Sequence, residues 1–283
     1  MQHIDAAPDG LASDGQGLQS APNAGTSPAG CQPAGVDPVS AAVATSFSVW
    51  ESGLAALVAH SHAVRVVGGL AVQRTGAVLD GTDLAGGQTI ATLGTAQAAA
   101  PDATLPTGGI PDVPVLAAAP PVPSVPEPTT GDAWSAQIHG GPGSGPLRSL
   151  GSRLRATGAE IKKLAEETRS HGHAIDAHWD DGIQKAGTNV GRLADWFDET
   201  SRYAEHVATA AERSAEHVDQ AISGTPRPEV FTELRERGNK GMQRFTRSGG
   251  IDVVPLQAAT ADMAEAQRKA VEEQVTYALA ANT

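Results

Sequence analysis

The amino-acid sequence predicts an all-α protein: two helical modules, an N-terminal helical hairpin and a C-terminal bundle of about four helices, joined by a Pro/Gly-rich linker. Three observations carry this expectation. Apolar residues recur at helical spacing along most of the chain, and no stretch alternates with the two-residue period of a strand. Nine prolines crowd between Pro101 and Pro128, and a Gly140-Gly141-Pro142-Gly143-Ser144-Gly145-Pro146 run follows them. Two Trp-x-x-Gly steps, Trp50-Glu51-Ser52-Gly53 and Trp179-Asp180-Asp181-Gly182, stand one in each Ala-rich helical part. A bulky aromatic beside a small residue can seat one helix against another. The expected division is a hairpin over 1–98, a disordered linker over 99–146 and a bundle over 147–283.

Residues 3–20 place Ile4, Ala7, Leu11 and Leu18 at heptad-like spacing, which predicts a helix that Gly10, Gly15 and Gly17 weaken by up to ~1 kcal/mol each. A Pro/Gly/Ala loop follows and ends in Asp37-Pro38, where Asp37 suits an N-cap and Pro38 the first helical position. From Val39 the series Val43, Phe47, Trp50, Leu54, Leu57, Val64, Val67 and Leu79 predicts a long helix, with Gly68-Gly69 as a kink site. Ile90 and Leu93 extend the same pattern. Proline removes backbone donors and glycine raises the entropy cost of ordering, so 99–146 reads as an extended tether.

In the second module Leu147, Leu150, Leu154, Ile161, Leu164 and Ile175 form one helical face. After the Trp179 step a second helix carries Val190, Leu193, Phe197, Val207, Val218 and Ile222 and closes at Gly224. Thr225-Pro226-Arg227-Pro228 opens a third helix through Phe231, Leu234, Met242 and Phe245, which Ser248-Gly249-Gly250 breaks. The fourth starts near Asp252 and Pro255 and runs through Leu256, Met263, Ala266, Ala270 and Tyr277.

Charge narrows the function. A net charge of -12 argues against nucleic acid, whose binding depends on neutralising phosphates, and against an anionic membrane surface. Before residue 148 the only basic side chains are Arg65 and Arg74. The most apolar run, Leu54 to Val72, holds His60, His62 and Arg65, so no membrane span is expected. The single Cys31 forms no internal disulfide, and the N-terminus lacks the basic and apolar regions of a cleaved signal peptide.

No catalytic, cofactor-binding or metal-binding residues are assigned. His60-Ser61-His62 and His171-Gly172-His173 are His-x-His pairs, but i and i+2 point about 200° apart on a helix, and no Cys or carboxylate set completes a tetrahedral site. These histidines, and His178, read as solvated surface residues. Ser, His and Asp occur outside any nucleophile-elbow context, and no Gly-rich loop precedes a Lys-Ser/Thr pair. The interaction candidates are Trp50, Gly53, Trp179, Gly182, Trp196 and Phe197, the Trp196-Phe197 pair with Tyr203 being the most aromatic patch of the second module.

Helical hairpins with a central Trp and Gly, high Ala, little Lys and no signal peptide resemble the W-x-G (Esx-like) proteins associated with type VII (ESX) secretion in actinobacteria. In that group the Trp-x-Gly step marks the turn between antiparallel helices; here it is Trp-x-x-Gly, and at Trp50 the helical pattern runs on. The group's export signal is Tyr, three residues, then an acidic residue; the nearest positional match is Leu79 to Asp83, with Leu in place of Tyr. The Ser248-Gly249-Gly250 break and the following Ala/Gln-rich helix ending Val275-Thr276-Tyr277 are similar to C-terminal regions of mycobacterial ESX-associated proteins. The resemblance implies a non-enzymatic protein, secreted or held at the cell envelope without a cleaved signal. Its partner would be another Esx-like helical protein or a secretion chaperone, in a homo- or hetero-oligomer. The alternative is a cytoplasmic adaptor or immunity partner of a polymorphic toxin, whose basic surface the acidic N-terminal module would suit.

Overall fold

The computed structural model describes residues 5–20, 22–24, 27–92, 118–119, 121–122, 129–180 and 185–282. Their order is β1 (Asp5–Ala6), α1 (Pro8–Ser20), α2 (Pro38–Thr92), α3 (Gly131–His139), α4 (Gly145–His178), β2 (Trp179–Asp180), α5 (Lys185–Gly224), α6 (Pro228–Arg247) and α7 (Val254–Ala280). Among the described residues the fold is all-α apart from one antiparallel two-residue pairing, Asp5 with Asp180 and Ala6 with Trp179. Ile4, Leu93, Gly182 and most of the proline run lie outside the described residues. The chain forms two compact units: Met1–Ser27, Gly53–Leu116 and Arg155–Glu205 make the first; Pro28–Ser52, Ala117–Leu154 and His206–Thr283 make the second.

In the first unit α1 lies antiparallel on the later part of α2, and glycine decides how close they come. A methyl group at Gly15 would sit 2.5 Å from the carbonyl oxygen of Gly69, and one at Gly76 would sit 2.7 Å from that of Pro8. Gly69, expected as a kink site, is thus a crossing point inside a segment that is helical throughout. Leu11, Leu18, Val72 and Ile175 fill the space between, with Leu79, Trp179 and Val190 packed against them. Gly69→Val is therefore expected to overpack the seam and cost at least about 1–3 kcal/mol, read by urea denaturation. An unchanged midpoint would show that α1 does not rest there.

The other face of α1 meets α4. Asp14 is buried and accepts from His178 Nδ1 at 2.8 Å and, at the limit of a hydrogen bond, from His171 Nδ1 at 3.5 Å. Gly10 and Gly17, one turn either side of Asp14, leave room for those two rings; a side chain at either would run into them. His171 and His178 are seven residues apart, on one face, which corrects their reading as solvated surface groups; His173 is exposed.

By length and composition α2 is apolar enough to cross a membrane, with a mean hydropathy of 1.4 over its best window, although its His60, His62 and Arg65 had argued against a span. A core helix of a water-soluble protein passes the same test. Arg65 is only 1% exposed, and its Nη2 donates to Pro22 O at 3.2 Å and to His62 Nδ1 at 3.1 Å.

In the second unit α3, α6 and α7 pack on one another. Helix α3 occupies residues 131–139 of the stretch expected as tether, with Trp134 and Ile138 buried one turn apart. Asp37 caps α2: its Oδ1 accepts the Ser40 backbone N–H at 2.8 Å, with Pro38 as the first helical residue. The break between α6 and α7 uses Gly249 and Gly250 at φ of +65° and +92°, a left-handed conformation that favours glycine. Met242, expected on the apolar face of α6, is 50% exposed. Gly241 takes the seam instead, where a methyl group would approach Leu256 Cα to 2.9 Å, so Met242, about 100° further round, faces solvent.

Candidate interaction sites

The first Trp-x-x-Gly step is helical from end to end, inside α2. Trp50 is half-buried, with its ring edge-on to Phe47 at 5.1 Å. Glu51, the second residue of the step, is buried and pins the incoming loop. Its Oε2 accepts Gly30 N–H at 2.9 Å, and its Oε1 accepts Arg153 Nε and Nη2 at 3.2 and 3.1 Å. Arg153 Nη2 also donates to Gly30 O at 3.0 Å, so the carboxylate, the guanidinium and the left-handed Gly30 (φ +71°) close one polar knot. Burial pushes the neighbouring Cys31 thiol up to about 11, against the pull of Arg153, which leaves it a thiol at neutral pH. Gly53 is half-buried, one residue beyond the exposed Ser52.

The second step lies where the chain passes from α4 to α5. Helix α4 ends at His178, Trp179 sits half-buried against the Leu11, Leu18, Val72 and Ile175 cluster, and α5 begins at Lys185. Gly182 is outside the described residues. Further along α5, Phe197 is buried while Trp196 is half-buried, their rings edge-on at 5.7 Å. Beside them Arg169 of α4 donates to both Asp195 and Asp198, at 3.0 and 2.6 Å. Leu79 packs half-buried on the apolar cluster of the first unit, and both it and Asp83 lie within α2. The side chain of Asp83 is outside the described residues. Among the described residues no three or more His, Cys, Asp or Glu side chains gather as metal ligands.

A site that the sequence reading missed centres on Trp134. Its Nε1 donates to Thr225 Oγ1 at 3.1 Å and its ring lies 5.9 Å from that of Tyr277. Ser40 Oγ donates to Asp37 Oδ2 at 2.6 Å, so the Tyr277 hydroxyl, 3.0 Å away, donates to Ser40. Ser135 Oγ donates to Pro226 O at 2.6 Å. This chain of bonds ties the α2 N-terminus, α3, the α5–α6 turn and the end of α7 together. The signal was present in the sequence as Trp134 and Ile138 at helical spacing, but the prolines before them and the glycines after them outweighed a nine-residue helix.

Burial pushes the Tyr277 hydroxyl from 10.0 up to about 12. The folded state therefore holds this proton more tightly than the unfolded chain does. The stabilisation is fully present below pH 10 and is lost as pH rises from 10 towards 12, by up to about 3 kcal/mol. Urea titrations of wild type and Tyr277→Phe should converge in that window, because phenylalanine has no proton to lose; parallel curves would contradict this assignment.

A half-open cavity of about 560 Å³ opens at Trp50, between α2 and α5 within the second unit. Val43, Phe47 and Trp50 form its apolar side, and Arg213, Ser214 and His217 of α5 face them.

The fold and these sites can now be set beside known proteins. No curated protein matches the chain. Among solved structures, the chain is similar to EspB from the ESX-1 type VII secretion system, with 15% identity over 98% of this chain and 93% of that one and a TM-score of 0.67. It is similar to EspB of Mycobacterium marinum, with 12% identity over 98% and 92% and a TM-score of 0.65. It is also similar to a structure described as a mycobacterial protein, with 14% identity over 97% and 90% and a TM-score of 0.65. These likenesses show a shared fold across nearly the whole chain. The PPE family model matches residues 129–283, more than half of the sequence, and starts just ahead of the unexpected helix α3. By that match the chain belongs to the PPE family.

Proposed function

We propose that this PPE-family protein is associated with a type VII secretion system, is exported by it, and acts without catalysis by helix–helix interaction. The observation that carries the reading is the fold, which over 98% of the chain is that of EspB, a protein described as part of the ESX-1 system. The stretches 1–98 and 147–283 are the two Esx-like parts in this proposal, and the partner is another Esx-like helical protein or a secretion chaperone.

Two surfaces support an interaction role. On α7, Val271, Val275 and Leu279 stand at i, i+4 and i+8 and are 37%, 42% and 56% exposed, an apolar stripe on one helix face. On α5, the half-buried Trp196 is followed two turns later by the exposed Tyr203, whose aromatic rings are suited to a docking hot spot.

The test compares culture filtrate with cell lysate in strains with and without a working type VII system. The protein is expected in the filtrate only when the system works. Retention in the lysate of both strains would overturn export and favour the cytoplasmic adaptor of a toxin.

A further inference from the structure

We propose that the cavity at Trp50 binds a small apolar carboxylate, a molecule with one carboxylate head and an aliphatic or aromatic body. Its volume of about 560 Å³ falls in the range of roughly 300–1,000 Å³ typical of small-molecule sites. Val43, Phe47 and Trp50 offer the body an apolar wall, on which the edge-on Phe47–Trp50 pair presents a flat aromatic surface. The opposite wall is one turn of α5, where Arg213 and Ser214 lie side by side and His217 follows Arg213 at i+4, on the same face.

Arg213 supplies the charge of this wall. Among the described residues Arg213 makes no ion pair, so its charge at the cavity wall is unanswered by a carboxylate. No Asp or Glu is among the described lining residues, so the charge here suits an anion rather than a cation. One guanidinium matches the single charge of a carboxylate and holds it by a charge-assisted bond, with the Ser214 hydroxyl completing the head site. A free phosphate would leave the apolar wall empty.

Isothermal titration of the full chain with sodium octanoate tests this, with 1-octanol and inorganic phosphate as the body-only and head-only probes. Octanoate is expected to bind at one site, with 1-octanol and phosphate each about tenfold or more weaker. Arg213 is solvent-exposed, so Arg213→Gln should leave the circular dichroism spectrum and melting curve unchanged. It should weaken octanoate about tenfold while leaving 1-octanol unaffected. Ala210→Leu, which adds bulk at the cavity wall, should weaken octanoate and 1-octanol alike. Absence of octanoate binding, equal binding of octanoate and 1-octanol, or full octanoate affinity in Arg213→Gln would each overturn the assignment. Secretion is measured separately, so neither result depends on the other.

Discussion

Trp134→Ala is expected to destabilise the protein by about 3–5 kcal/mol, the range for removing a buried large aromatic. The side chain is 1% exposed, and its loss leaves a void between α3 and α7 beside the Tyr277 ring. It also strips the Thr225 hydroxyl of its donor at 3.1 Å, and an unpaired buried oxygen adds its own penalty. With whole-domain stabilities of about 5–15 kcal/mol, such a loss brings the second unit to the edge of folding. Trp134→Phe keeps most of the volume and loses the indole N–H, so about 1–2 kcal/mol is expected. Urea denaturation followed by far-UV circular dichroism measures both. A wild-type midpoint for Trp134→Ala would mean that α3 is a passenger on the bundle.

Phe197→Ala is expected to cost a similar ~3–5 kcal/mol, whereas its neighbour Trp196→Ala should cost about 1 kcal/mol. Adjacent helical residues point about 100° apart, so both cannot enter one seam. Phe197 is buried and Trp196 is half-buried on the flank. In the proposed role Trp196→Ala weakens association with a helical partner instead, as sedimentation of the co-expressed pair would reveal. If Trp196→Ala unfolds the protein and Phe197→Ala does not, the face of α5 has been assigned the wrong way round.

Much of the helical plan is legible from local chemistry. Asp37 before Pro38 starts α2 because the carboxylate can bond the Ser40 N–H three residues on, whatever else the chain does. Gly249 and Gly250 end the α6 segment because their left-handed φ values favour residues without a Cβ. The apolar series Leu147, Leu150, Leu154 and Ile161 is buried in α4, a periodicity that depends only on helix geometry. The resemblance to type VII proteins rested on the same composition and spacing, and the fold of EspB agrees with it.

The sites were less legible, because what a residue does there is set by what comes to lie beside it. Composition marked residues 131–139 as tether, yet the amphipathic pair Trp134 and Ile138 finds α7 and the α5–α6 turn to bury against. In the sequence Glu51 is only the second residue of a Trp-x-x-Gly step; in the fold it is a buried staple because Arg153, 102 positions later in sequence, reaches it.

Alone, then, the sequence determined most of the helices, several of their caps and breaks and most of the faces they bury, since each depends on residues within one or two turns of one another. Only the tertiary structure decided which small and polar residues matter. Gly15 and Gly69 look like weak points of two helices by propensity, because propensity counts the lost entropy of one chain segment. Placed against each other they let two backbones approach to a distance that a methyl group would forbid. Asp14, His171 and His178 carry no signal by spacing, since they are 157 and 164 positions apart, and become one hydrogen-bonded set when α1 docks on α4. The cavity at Trp50 arises in the same way, from segments of α2 and α5 whose proximity no local pattern encodes.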